Sequence, residues 1–421
     1  MALTARAPKP PPLTVRAARR WARDNLFGSV ANTALTVITF LFVWFAVIAI
    51  PGVVEFPPFG ILWFVVDAAD WDVITANRKL FFIGRYPSDE TWRLWVALFV
   101  FSGLAGLSWG LWSRIGPRLA GMAAVGLVLV FLFMAKGDVA LLTAGTIGVF
   151  AVAYAAGHAW LAPSRHQALA RNLTVAGWLL SLALAGYLLR GVDTLLWGGL
   201  LLTIILTVVG IVAAFPLGVL LAVGRASTFP VIRLFCVGYI ELIRGVPLIT
   251  ILFMGKFILP LMVKPERDSF LGIDLPFTVP GVDMDDVIRA MAAITIFSSA
   301  YLAEIVRGGL QAVPRGQVEA AQALGLGTTR ILAFIVMPQA LRAVIPALVG
   351  QFIALFKDTS LVVIVGLTEL LKAAQQVTAQ TDFIGRQTEA LLFIALIYWV
   401  VAFSMSRASQ QLERTLGVGE R

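Results

Sequence analysis

The sequence holds one cysteine, Cys236, and two histidines, His158 and His166, among 421 residues. A single cysteine excludes an intrachain disulfide and a thiolate metal cluster. Two histidines, one expected at a helix end and one in a loop, do not make a metal site of the usual kind. Charge is scarce as well. Only 14% of residues are charged against 59% hydrophobic, and mean hydropathy is +0.88. No soluble fold hides that much apolar surface from water, so the lipid bilayer is expected as the solvent for much of the chain. A Gly-x-x-x-x-Gly-Lys-Ser/Thr loop is missing, so nucleotide binding of the P-loop kind is not expected. No internal repeat stands out either, which disfavours an inverted-repeat secondary transporter. The net charge of +9 does not argue for a nucleic-acid partner, because the basic residues sort by side of the expected membrane.

What is present is a series of apolar runs of membrane length. About ten helices are expected, with cores at 30–50, 94–113, 118–135, 139–160, 172–190, 197–223, 245–263, 286–305, 341–366 and 389–406. The fold class is therefore an all-α integral membrane protein. The segment 1–26 reads as a basic tail, with Lys9 set among prolines and Arg6, Arg16, Arg19, Arg20 and Arg23 around it. The run at 30–50 is too long for a signal-peptide core and lacks a small-x-small cleavage site, so it reads as a retained span. If the tail lies inside, the inside segments hold about 20 basic residues against about 10 outside. That bias puts both termini in the cytoplasm. A long outer loop follows at 51–92, with Trp63 and Trp71 as interfacial anchors, and a second, irregular one at 264–284 with Pro265, Pro276 and Pro280. The chain divides near Leu195 into an extension at 27–195 of about five helices, with few internal polar groups, and a downstream half at 196–407. Residues 408–421 form a second cytoplasmic tail.

One polar island breaks the downstream half, within an inside loop at 307–340. Gln317 to Leu324 is rich in helix formers, including Ala320, Ala321 and Ala323, whose small side chains let another surface approach the backbone. Gly325 and Gly327 can end that helix. Thr328 is a candidate N-cap for a second short helix running to about Val336. Pro338 either closes the loop or opens the next span at its first turn, where the missing N–H costs nothing. Glu319 is expected near the N-terminus of the first short helix, where its charge suits the dipole. On chemistry alone this could also be an ordinary amphipathic connector.

The spacing resembles the EAA motif of type-I ABC importer permeases: Glu-Ala-Ala, three residues, Gly, nine residues, Ile, one residue, Leu-Pro. Glu319, Ala320, Ala321, Gly325, Ile335 and Pro338 all fall in place, with Met337 where the motif has leucine. Glu241 to Leu248 (ELIRGVPL), Ala300 to Gly309 (AYLAEIVRGG) and Lys357 to Leu361 (KDTSL) are similar to segments of the polar amino-acid branch of that family, the histidine/glutamine/glutamate/arginine group. The resemblance covers about 195–415 and implies a five-helix permease core. The long upstream region resembles, by architecture, the M-type permease of general L-amino-acid importers. The resemblance implies a non-catalytic subunit of the bacterial inner membrane that forms half of a translocation path for L-amino acids. Its implied partners are a cytoplasmic ABC ATPase dimer, which binds and hydrolyses the ATP, a second permease in a heterodimer, and a periplasmic amino-acid-binding protein. No cofactor is expected on this chain itself. The loop at 307–340, with Glu319 to Ala321, Gly325, Gly327, Ile335 and Pro338, would be the coupling loop.

Charges at membrane depth are the other signal. Lys357 and Asp358 interrupt an apolar run, and a charge at the bilayer centre costs about 2.5–3.5 kcal/mol on insertion scales, so it should face protein or water. With Thr359 and Ser360 they could line the path. Equally, they could form a structural ion pair with Lys256, Arg289 or Glu304. Lys256 is alone in its span and is expected to snorkel. Glu304 with Arg307, and Glu241 with Arg244, have the spacing of local helix-end pairs, and Glu304 and Arg244 are also candidates for a gate. Gly245 and Pro247 mark a break where a helix enters the membrane. Two other functions compete with this one. An ion-coupled transporter could use Lys357 and Asp358. A membrane enzyme would need a cluster of His, acid or nucleophile at one face, and both histidines lie outside the downstream half.

Overall fold

The computed structural model describes residues 21, 23, 26–29, 32–40, 69–112, 138–262, 269–270, 273–274 and 285–416. The expected span at 118–135, most of the one at 30–50, the first part of the outer loop at 51–92 with Trp63, most of the loop at 264–284, most of the basic tail and the last residues of the chain lie outside these. The chain divides into two compact units, Met1–Asp70 and Trp71–Arg421. In the first, a helix over 32–40 is started by Ser29, whose hydroxyl accepts from the Asn32 amide at 3.1 Å.

The second unit is almost wholly helical. Two short helices, α1 (Asp72–Ala76) and α2 (Arg78–Ile83), precede three long ones: α3 (Thr91–Trp112), α4 (Asp138–Ala156) and α5 (Gln167–Leu189). Helices α4 and α5 both pack on α3. Polar side chains are spent inside that trio: Ser102 donates to the Thr146 carbonyl at 2.7 Å, and the Trp178 indole donates to Ser108 at 3.0 Å. Arg93, near the start of α3, donates to the Leu188 carbonyl near the end of α5.

The downstream bundle consists of α6 (Gly199–Arg225), α7 (Pro230–Gly245), α8 (Leu248–Phe253, continuing to Met262), α9 (Asp286–Ala312), α10 (Arg315–Ala323), α11 (Thr328–Ile331), α12 (Met337–Asp358), α13 (Leu370–Thr378) and α14 (Gln387–Leu416). Helix α9 is central, packing on α6, α7, α8 and α12. Leu202, Leu206, Leu252, Ile294 and Leu355 form its main apolar contact. Among the described residues seven helices are long and apolar enough to cross a membrane, and the bent pair Pro230–Gly245 and Leu248–Ile258 makes an eighth. The protein is thus an all-α, multi-span membrane protein. The span expected at 245–263 is where sequence and structure differ most. That stretch holds only α8 and its continuation, while α7, which was not expected as part of a span, precedes it across a 105° bend at Val246–Pro247. Proline cannot donate to a continuing helix, and the residue before it is pushed to extended backbone, as Val246 is at φ −110° and ψ 135°. In the loop expected to be irregular, Ser269–Phe270 pairs antiparallel with Ile273–Asp274.

Candidate functional site

The polar island folds as two short helices around a glycine turn. Helix α10 begins at Arg315, two residues earlier than expected, because Pro314 supplies the extended entry. Glu319 therefore sits in mid-helix rather than in the first turn, and it is exposed. The helix ends in a paired C-terminal motif. The Gly325 amide donates to the Gln322 carbonyl at 2.9 Å, and the Leu326 amide to the Ala321 carbonyl at 3.1 Å. Gly325 takes φ +76°, where a side chain is strained. Gly327, not Thr328, is the N-cap of α11. Its backbone is extended, and Thr328 is already helical with no capping bond from its side chain. Residues Leu332–Val336 widen into a π-helical turn that runs into α12, where Pro338 occupies the first turn. Ala321, Ile331 and Val336 are buried together and hold the loop on itself. Ala320 is exposed and Ile335 half-buried, while Leu324 and Phe334 stand 82% and 76% exposed.

Three helices, α6, α7 and α9, meet in one ionic cluster. The Glu304 carboxylate contacts Arg225 of α6, Arg307 at 2.8 Å on its own helix, and Arg244 of α7 at 3.9 Å. The Glu304–Arg307 pair is the local one the spacing implied. Glu241 and Arg244, expected to pair with each other, instead reach outward. Glu241 takes Arg225 at 3.2 Å, and Arg244 turns to Glu304 and lies over the Tyr301 ring at 5.7 Å. Arg225 is the residue the sequence reading missed: it is 79 residues from Glu304, and nothing local marks it.

At the opposite end of the bundle the polar groups differ. Lys256 is not a lone snorkelling residue: it donates to the Val365 carbonyl and lies 3.6 Å from Asp286, which Arg289 shares at 3.1 Å. Lys357 is exposed and Asp358 half-buried. Among the described residues no ion pair joins either to another helix, and the expected partners Lys256, Arg289 and Glu304 are engaged elsewhere. Thr359 is buried and donates to the Phe356 carbonyl at 2.7 Å, and Ser360 donates to the Lys357 carbonyl at 2.8 Å. So the structure groups Arg244 with Glu304, and keeps both apart from Lys357 to Ser360, which follow one another at the other end of α12.

A third feature escaped the sequence reading. Glu369 is fully buried and caps α13: its two oxygens accept from the Leu371 amide at 2.8 Å and the Lys372 amide at 2.9 Å, and Tyr398 donates a third bond at 3.1 Å. Burial pushes its pKa up to about 6, against the pull of those three bonds.

Residues 214–418 match the family described as binding-protein-dependent transport system inner membrane component. The chain is 36% identical to the inner membrane amino-acid ABC transporter permease protein YhdY of Escherichia coli K12, covering 99% of this chain and 98% of that one. It is 35% identical to the glutamate/glutamine/aspartate/asparagine transport system permease protein BztC of Rhodobacter capsulatus, covering 97% and 96%. A shorter relative, the probable glutamine ABC transporter permease protein GlnP of Bacillus subtilis, is 38% identical over 52% of this chain and 92% of its own.

Proposed function

The chain belongs to the permease subunits of amino-acid ABC transporters, and from that premise we propose that it forms half of a path for L-amino acids, driven through the loop at 307–340 by a separate ATPase. The observation that carries the coupling role is the exposed apolar edge at that loop. Leu324 and Phe334 face outward beside an alanine-lined helix, while Ala321, Ile331 and Val336 keep the loop rigid enough to transmit a push. Exposed apolar side chains on a folded polar loop suit a docking surface. Glu319, Ala320, Gly325, Gly327, Ile335 and Pro338 shape that surface. The ATP would be bound by an ATPase dimer, and cargo would arrive from a periplasmic binding protein. A second permease would complete the path as a heterodimer.

On this reading the loop end of the bundle is cytoplasmic and the Gly199 end periplasmic, with both chain termini inside. The Glu304 cluster ties α6, α7 and α9 just before the 105° break, which suits an inner gate that opens when the loop is pulled. Arg244, the most exposed of the arginines on Glu304, is the arm that would let go first. Lys357, Asp358, Thr359 and Ser360 contribute polar groups to the path. The extension at 27–195 and the core at 196–407 are separate functional regions.

Gly325→Val tests the coupling role. A β-branched side chain at φ +76° cannot keep the turn, so uptake should fall to background while the protein stays in the membrane. Unchanged uptake, or uptake that persists in cells lacking every cytoplasmic ATPase partner, overturns the reading.

A further inference from the structure

The extension meets the core mainly through its two shortest helices. Among the described residues, α3, α4 and α5 pack chiefly on one another, whereas α2 packs on α6 and α13, and α1 on α14. Val73, Ile74, Phe81 and Phe82 join Leu370, Ala374 and Val377 of α13 and Ala390, Phe393 and Ile394 of α14 in one apolar cluster. Phe81 and Phe82 meet the Phe393 ring edge-on, with centroids 5.3 and 6.2 Å away. Gln380, just beyond α13, donates to Asn77 between α1 and α2 at 3.0 Å.

The backbone contacts are as close as the side-chain ones. Gly84, at φ +68°, is bridged to Trp197, and a Cβ on Gly198 would come within 2.8 Å of its Cα. The next residue, Gly199, donates to the Thr368 carbonyl at 2.8 Å, and Thr203 accepts from the Leu370 amide at 3.3 Å. The end of α2, the start of α6 and the start of α13 therefore form one junction. The buried Glu369 cap is part of it, bridged to Gly199. The other end of α2 is tied to the segment that leads into α3, since Lys79 donates to Ser88 at 2.8 Å.

A pair of five- and six-residue helices has no stability of its own, so its order comes from the surface it covers. That surface is the element following Lys357 to Val365, at the end of the bundle away from the coupling loop. We propose that α1 and α2 are an outer brace of the permease: they hold α13 and the start of α14 as one rigid body, so that movement at that end of the path stays coupled to ATP hydrolysis. The inference rests on the reading above in taking the bundle axis as the path. It gives the upstream half of the chain a task in transport, that of a positioning element whose effect is on coupling rather than on membrane insertion.

The test uses the whole importer in proteoliposomes, this chain with its second permease, ATPase and binding protein. L-glutamate and L-glutamine, the cargo in the name of one relative, are the probes. The quantity read is ATP hydrolysed per amino acid imported. Phe81→Ala with Phe82→Ala should raise that ratio tenfold or more at a membrane level within twofold of the parent. If the double variant does not accumulate, Gly198→Ala is used, which presses on Gly84 and should raise the ratio threefold. In a Cys236→Ala background, Asn77→Cys with Gln380→Cys, joined by a short bifunctional thiol reagent, should import at the unlinked rate within twofold, because the joined parts never separate. A merely structural role would lower the amount of protein and leave the ratio where it was, and that result overturns the brace. So does a cross-link that stops import until it is cleaved. A parent importer that hydrolyses ATP and moves no member of a mixture of the L-amino acids overturns the transport reading as well, and is told apart by failing in every arm.

Discussion

Glu304 shares three guanidiniums with α6, α7 and its own helix, whereas Glu369, at the other end of the same bundle, is held by two backbone amides and a phenol. Among the described residues no lysine or arginine side chain pairs with Glu369. The first carboxylate is a point where charges from several helices are balanced, and it is partly open to water. The second is a buried cap whose negative charge is tolerated only because its lone pairs are filled. The difference sets what each can do. Charge pairs between helices break and re-form as the helices shift, which suits a moving end. A satisfied cap fixes the start of a helix, which suits a part of the bundle that moves as one body.

Removing the charge of Glu304 should therefore have the larger effect. Glu304→Gln leaves Arg225, Arg244 and Arg307 facing one another with only the exposed Glu241 to offset them. Each charge-assisted hydrogen bond weakened here costs about 1.5–3 kcal/mol, and Glu304 accepts more than one. Denaturant unfolding of the purified permease should show a loss of that order, and uptake should fall at least tenfold even at equal membrane level. If Glu304→Gln unfolds like the parent, the cluster is not holding the helix ends together.

Lys256→Met comes next, and it probes the end where the brace sits. The lysine donates to the Val365 carbonyl and contacts Asp286, but Asp286 keeps Arg289. What is lost is one charge-assisted hydrogen bond, about 1.5–3 kcal/mol, and the methionine restores most of the packing. A loss as large as that of Glu304→Gln would mean that the two ends do not differ as described.

Much of this architecture was legible because it is written in local spacing. Apolar runs marked the seven long spans that the described residues contain and only the second part of the bent pair, and the glycine turn at 325 followed from residue types that only a turn needs. The ionic cluster was misread for the opposite reason. Arg225 and Glu304 meet across 79 positions, so spacing alone paired Glu241 with Arg244, the nearest choice and the wrong one. The helices α1 and α2 were read as loop, because five and six residues are too few to display a period. One signal was there to be used: the apolar run Leu80 to Ile83, closed by Gly84 and bordered by Lys79 and Arg85, is a buried turn of helix rather than a solvated linker. Glu369 was overlooked because a single acid between two apolar stretches looks like a loop residue until its amide partners are seen.

The smallest effect is expected at Glu369, and its sign is the sharpest part of the comparison. Its folded pKa, about 6, lies above the ordinary glutamate value of 4.5. Between those values the folded protein holds a proton that the unfolded chain has released. Stability is then highest below pH 4.5, declines as pH rises through 6 and is level above it, a change on the order of 2 kcal/mol. Glu369→Gln removes the titration but also turns one acceptor into a donor facing a backbone amide, which gives up about 1 kcal/mol. At pH 7.5 these oppose each other, so the variant should unfold within about 1 kcal/mol of the parent. At pH 4.5 the parent should be the more stable of the two. Urea unfolding of parent and variant at pH 4.5, 6 and 7.5 separates the cases: parallel curves would mean that Glu369 does not titrate in this range, and the contrast with Glu304 would then rest on geometry alone.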